Sequence, residues 1–267
     1  MKSFKCKLIN EERTLEQGYI ADVKLEEGTI PQMIGFADKV QCNDATFHLP
    51  IQVIETCKKE RKYRLFFNTS AMQEQKHLHL VEQIRSQIFE LNFLEYPFFR
   101  LQPNCRKMLF LIDESVLFES LTFIDLHSIN NIETIIYVKT DRQQEEILDH
   151  LQHIPQYKIN LLPTIENEKI HAIFKEQKIG TKIFISGPWS MIYHIKDIAN
   201  TVGFTDDEIQ YNGFGQKDHK VYCVKCYSYN KMSNNKVITC EHCKVVLDVS
   251  NHFSKRLEAY LGYIQVI

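Results

Sequence analysis

Lys182-Ile183-Phe184-Ile185-Ser186-Gly187-Pro188-Trp189-Ser190-Met191 reads as a buried strand that breaks at a Gly-Pro turn and runs into a helix. The run from Ile183 to Ile185 is apolar without alternation, which suits a strand covered on both faces of a parallel sheet. Pro188 stands where proline is tolerated, in the first turn of a helix. Met191, Ile192, Ile195, Ile198, Ala199 and Val202 then recur at helical spacing, and Gly203 is a natural stop. Upstream, Met108–Ile112 and Thr134–Val138 are similar short apolar runs, and Tyr157–Leu162 is a fourth, more alternating strand. Between them Gln143–Leu151 carries Ile147, Leu148 and Leu151 on one helical face, and Glu168–Lys178 carries Ile170, Ile173 and Phe174. This alternation predicts an α/β unit built on a doubly wound parallel sheet.

Ile185–Met191, the helix to Gly203 and the segment Asp207–Gly215 resemble the end of the nicotinamide-binding domain of ferredoxin reductases. That family has a Cys-Gly-Pro turn, a Met in the next helix and an Ile-x-x-Glu-x-Phe ending. The resemblance implies a nicotinamide site at Gly187 and Pro188. Here Ser186 stands in place of the Cys and Asn212 in place of the terminal Glu. Pyrophosphate needs a glycine-rich turn at a helix N-terminus. After the first strand the sequence instead offers Ile112-Asp113-Glu114-Ser115-Val116, with no glycine and two carboxylates. The family's Arg-x-Tyr-Ser flavin motif is also missing: Arg61-Lys62-Tyr63-Arg64 ends in the wrong residue, and the helix that follows does not suit a flavin barrel. The expectation is a retained fold with a degenerate nucleotide site, and NADPH is not expected as a cofactor.

Composition and charge bound the rest. The chain has 267 residues, 44% hydrophobic and 25% charged, which excludes collagen-like and largely disordered classes and suits about two or three folded units. The net charge of -2 hides an asymmetry. From Lys217 onward eight Lys and Arg face four Asp and Glu, so this segment is +4 and the preceding residues are -6. The glycines of Gly213-Phe214-Gly215 supply a joint there, and a second boundary is expected near Pro97–Pro103. The domains are therefore read as 1–100, an α+β unit of unknown role; 101–216, the reductase-like α/β unit; and 217–267, a small metal-binding ribbon. In the first, Thr46–Ile54 and Tyr63–Phe67 are strand-like, and His79–Leu91 is helical through Leu80, Ile84, Ile88 and Leu91. The opening residues Met1–Lys7 lack the apolar core of a signal peptide, and no apolar run is long enough to span a membrane, so the cytoplasm is the expected location.

Four of the eight cysteines, Cys6, Cys42, Cys57 and Cys105, are scattered without ligand spacing and read as buried thiols. The other four form two knuckles, Cys223-Val224-Lys225-Cys226 and Cys240-Glu241-His242-Cys243. Each knuckle presents two thiolates, and two knuckles complete a tetrahedral set suited to zinc or to a single rubredoxin-type iron. Rubredoxin-like knuckles have glycine after the second Cys, where this chain has Tyr227 and Lys244, so zinc is the favoured metal and iron the alternative. Val221-Tyr222, Val237-Ile238 and Lys244–Leu247 read as ribbon strands. His219, His242 and His252 flank the knuckles, but four sulfurs already fill a tetrahedron. His77 with His79, and His150 with His153, have no third ligand nearby in sequence, and no independent catalytic constellation is present.

Past the knuckles comes His252-Phe253-Ser254-Lys255-Arg256-Leu257-Glu258-Ala259-Tyr260-Leu261-Gly262. In this order, the knuckles and this tail resemble the C-terminal domain of the DmmA family, a subunit associated with dimethylamine monooxygenase. The resemblance implies a non-catalytic subunit of an oxidative N-demethylase, with haem oxygenase and flavin/iron–sulfur reductase components as partners and no membrane. Two alternatives stay open: a zinc-ribbon module binding nucleic acid or protein, and an NAD(P)H-dependent reductase component with rubredoxin-like iron. Nucleic acid is the less expected partner, since the lysines and aromatics form no evident stacking platform.

Overall fold

The computed structural model describes residues 2–15, 17–27, 34–42, 45–86, 88–94, 104–141, 145–152, 154, 157–215, 217, 219–232, 236–254, 257 and 259–265. Gln143, His153, Lys255, Arg256 and Glu258, and the boundary expected at Pro97–Pro103, lie outside them. The chain divides into two compact units, Met1–Gly213 and Phe214–Ile267.

The first unit opens with strands β1 (Lys2–Leu15), β2 (Gly18–Leu25), β3 (Ile34–Cys42), β4 (Ala45–Cys57) and β5 (Lys62–Asn68), then helix α1 (Glu74–Ser86) and β6 (Phe89–Leu94). These strands close into a barrel in the order β1-β2-β5-β4-β3-β6, with β1 and β6 antiparallel from Lys2↔Phe93 to Cys6↔Phe89. The expectation that the helix does not suit a barrel is thereby corrected. Helix α1 sits between the last two strands in sequence and packs Leu80, Val81 and Ile84 into the barrel's own core. It also begins and ends earlier than the spacing suggests. Phe89, Leu91 and Phe93 are buried while Glu90 and Asn92 are half-buried, the alternation of a strand.

The α/β part follows as β7 (Lys107–Asp113), α2 (Leu117–Ile129), β8 (Glu133–Lys139), α3 (Glu145–Gln152), β9 (Lys158–Leu162), α4 (Asn167–Lys175), β10 (Thr181–Pro188), α5 (Trp189–Val202) and β11 (Ile209–Phe214). The sheet order is β11-β10-β7-β8-β9, and β10, β7, β8 and β9 are parallel. Alternate strand residues serve opposite faces. Phe110 and Phe184 pack with α2 and α3 side chains such as Phe123 and Ile147, whereas Leu109, Leu111, Ile183 and Ile185 pack with Ile170, Phe174, Ile192 and Ile195 of α4 and α5. Gly203 ends α5 in the left-handed region at φ 113. The first of these cores also takes in Leu15, Ile20, Ile54 and Phe66 from the barrel, which makes barrel and sheet one body. Gly18 marks the closest approach: a Cβ there would lie 2.1 Å from the Phe118 ring.

The second unit contains β12 (Lys220–Cys223), β13 (Tyr229–Lys231), β14 (Val237–Thr239), β15 (Val246–Ser254) and β16 (Ala259–Ile264), in the order β13-β12-β16-β15-β14. Two hairpins, β12–β13 and β14–β15, are thus joined by β16, which runs parallel to β12 and antiparallel to β15. No helix among the described residues is long and apolar enough to cross a membrane.

Candidate metal centre

Each knuckle is shaped by backbone hydrogen bonds. The amide of Tyr227 donates to the Cys223 carbonyl at 2.9 Å, and the amide of Lys244 donates to the Cys240 carbonyl at 3.0 Å. To close these turns Tyr227 and Lys244 both adopt φ 61, a region that favours glycine. Cys223 and Cys240 are buried, and Cys226 and Cys243 are half-buried.

The four sulfurs converge, all lying within 4.8 Å of one another. Cys223 Sγ is 3.8 Å from Cys243 Sγ, and Cys226 Sγ is 3.6 Å from Cys240 Sγ. A tetrahedron of ~2.3 Å metal–sulfur bonds has edges of roughly 3.8 Å. The donor set therefore fits a tetrahedral thiophilic metal ion. The four thiols are electrostatically unequal. The Ser228 hydroxyl and amide lower the Cys226 thiol to about 6. At Cys243 the Val245 amide favours the thiolate, but partial burial and the crowding of the other three sulfurs push the thiol up to about 11. Four thiolates share so small a space only with a cation among them.

Among the described residues one apolar cluster of the ribbon consists of Cys223, Cys240 and Leu247, with Cys226, Ile238, Cys243 and Val245 around them, so cysteines make up most of that cluster. One polar residue that sequence reasoning missed links the two halves. Asn230, 3% exposed, accepts the Glu241 amide at 2.8 Å and donates to the Val221 carbonyl at 3.4 Å. Its only sequence signal is an amide between two exposed residues of a short strand. His219 stacks edge-on against Tyr260 at 5.6 Å, outside the sulfur set.

The crevice at the carboxyl ends of β7 and β10 brings Gly187 to Asp113: a Cβ on Gly187 would stand 3.1 Å from the Asp113 Cβ. Pro188, which precedes α5 at φ -57 and ψ 145, has no N–H to offer a ligand. The Asp113 carboxylate binds Lys139 Nζ at 2.8 Å and accepts the Ser115 amide at 3.2 Å. Burial opposes its charge, but Lys139 and Ser115 hold its carboxyl below the usual carboxylate range. Glu114 accepts the Asp141 amide at 3.0 Å. The crevice of about 360 Å³ where a dinucleotide pyrophosphate would lie is lined by Asp113, Glu114 and Asp141, with Lys139 engaged by Asp113, and these residues do not fit that group. Nor do the flavin-motif counterparts stand free. Tyr63 is buried in the barrel core and donates to Glu55, while Arg64 is forked between Asp22 and Asp125. A cleft of about 400 Å³ between barrel and α2 is lined by residues such as Phe36, Gln52, Phe66, Asn68, Phe118 and Glu119, with no Lys or Arg among its described lining residues to meet a phosphate.

Residues 220–263 match the family model described as dimethylamine monooxygenase subunit DmmA-like, C-terminal domain. The heme-dependent oxidative N-demethylase delta subunit of Ectopseudomonas mendocina (strain ymp) is 31% identical over 93 residues, 35% of this chain and 53% of that protein. The match thus spans about half the length of that relative. Among solved structures, a ferredoxin NADP+ reductase from Neisseria gonorrhoeae with bound FAD and NADP superposes with a TM-score of 0.51 at 11% identity, covering 79% of this chain and 98% of that one. The CS-b5R domains of human Ncb5or in the NAD+ form give 0.50 at 12% identity, covering 79% and 69%. At such identity the likeness is one of fold alone. Residues 220–263 are thus similar to the DmmA-like C-terminal domain, and the chain shares the fold of ferredoxin reductases.

Proposed function

We propose that this chain is a metal-binding, non-catalytic subunit of an oxidative N-demethylase system of the dimethylamine monooxygenase type, acting in assembly or electron delivery. The observation that carries this reading is the closed four-sulfur set of Cys223, Cys226, Cys240 and Cys243 inside the segment that matches the DmmA-like model. The metal is zinc. A four-thiolate zinc has no redox chemistry and no open position, and its role is to hold the ribbon together through the cysteine cluster between its two knuckles. The partners are the haem-containing oxygenase component and the flavin/iron–sulfur reductase component, in the cytoplasm. The reductase-like body serves as a scaffold, and Gly187 and Pro188 hold no nucleotide.

Metal analysis of the purified protein with a visible spectrum tests the metal, and co-purification with the haem-containing component tests the assembly. One colourless zinc per chain is the expected result. A red iron form would make the chain a one-electron carrier, and loss of all metal with an intact fold would remove the reading. Millimolar NADPH is expected to leave the melting temperature unchanged; a clear rise would favour a reductase component instead.

A further inference from the structure

The hairpin that carries the first knuckle has two unlike faces. Val221, Cys223 and Asn230 point into the ribbon and are buried. The opposite face carries Lys220, Tyr222, Tyr229 and Lys231, registered as Lys220↔Lys231 and Tyr222↔Tyr229. Two like charges, Lys220 and Lys231, thus stand directly opposite each other on this face, a pairing that strand pairs ordinarily avoid. Tyr222 and Tyr229 pack edge to face at 5.3 Å, Tyr227 lies 6.2 Å from Tyr222, and Lys220 Nζ is 5.7 Å from the Tyr229 ring centre. Tyr227 is 70% exposed and Tyr229 45%. Local rules broken together on one face mark a surface kept for something outside the fold.

We propose that this tyrosine–lysine face docks an acidic surface of a companion protein subunit. Tyrosines with an apolar body and a polar tip are the usual anchors of protein interfaces. With four thiolates and a divalent ion counted, the segment from Lys217 onward keeps a net charge of +2, and the face itself presents Lys220 and Lys231, so the complementary partner surface is acidic. A single-stranded nucleic acid fits less well. Successive bases stack best on ring faces set parallel, whereas Tyr222 and Tyr229 meet edge to face at 65°. This docking role rests on the subunit function proposed above.

The test measures binding of the full chain to the recombinant haem-containing component and, separately, to the flavin/iron–sulfur component, at low and at physiological salt. Two variants, Tyr227→Ala with Tyr229→Ala and Lys220→Glu with Lys231→Glu, are compared with wild type after both are shown to hold the same metal equivalent. The aromatic pair is expected to weaken binding by about thirtyfold, and the charge pair to slow association and flatten its salt dependence. Wild-type affinity in both variants overturns the docking face and leaves the subunit role standing. Failure of wild type to bind either component overturns both. Binding of a single-stranded oligothymidylate by wild type, lost in the variants, overturns the protein partner in favour of nucleic acid.

Discussion

The side-chain oxygen of Asn230 accepts the backbone amide of Glu241 at 2.8 Å, tying the strand after the first knuckle to the turn of the second. Replacing it with Ala leaves a partly buried amide without its acceptor, at a cost of about 1 kcal/mol. Asn230→Ala is therefore expected to speed metal loss to a chelator, and Asn230→Asp, which keeps an acceptor, to recover part of the difference. Equal release rates in Asn230→Ala and wild type would count against the link.

Gly262 is packed where no side chain fits. A Cβ there would lie 2.8 Å from Val221 Cγ1 and 3.0 Å from Leu247 Cδ1, and the Gly262 carbonyl accepts the Val224 amide at 3.1 Å. Gly262→Ala forces β12, β16 and β15 apart, destabilising the ribbon by about 1–3 kcal/mol. Calorimetry should show the ribbon's transition lowered and the body's unchanged.

His127 gives the body a pH dependence. Burial, against a backbone contact of Nδ1 with the Phe123 carbonyl at 2.6 Å, lowers its pKa from 6.5 to about 4. Below pH 6.5 the unfolded chain takes up a proton that the folded chain refuses, so stability falls as pH drops toward about 4 and this group adds nothing further below. The loss across that window is roughly 3 kcal/mol. Denaturant titrations between pH 7 and 4 should show a shallower slope in His127→Gln; an identical slope would rule His127 out as its source.

Arg64 joins barrel to sheet. Its guanidinium binds Asp22 at 2.8 and 3.2 Å and Asp125 at 2.8 Å, and Tyr157 donates to the other Asp125 oxygen at 2.8 Å. Arg64→Leu strands two mostly buried carboxylates and is expected to cost about 3 kcal/mol. Adding Asp22→Asn and Asp125→Asn should return most of that in chemical denaturation. If the triple variant is no more stable than the single one, charge burial is not the cause.

The parts of this fold that sequence could reveal are those with local periodicity. Strands β7, β8 and β10 are continuous apolar runs, α5 has a one-sided stripe, and each stands within a residue or two of its expected place. Helix α2 was hidden because ten of its residues, from Leu117 to His127, are buried, which leaves no polar face to set a period. The barrel was hidden for another reason. Its closure depends on β1 pairing with β6 across the whole domain, a relation that no short window contains. The four sulfurs were legible because metal chemistry dictates residue type and spacing together. Asn230 was not, because an amide that links two turns leaves no pattern of its own.

The central place of β16 has a consequence for how the ribbon comes into being. On the ribosome all four thiols emerge before the strand that stitches their hairpins together. A metal ion caught by Cys223, Cys226, Cys240 and Cys243 would then set the two hairpins side by side in advance, leaving β16 a slot already cut to its width. Synthesis in metal-starved cells would deliver the same chain with its last strand lacking a place to dock.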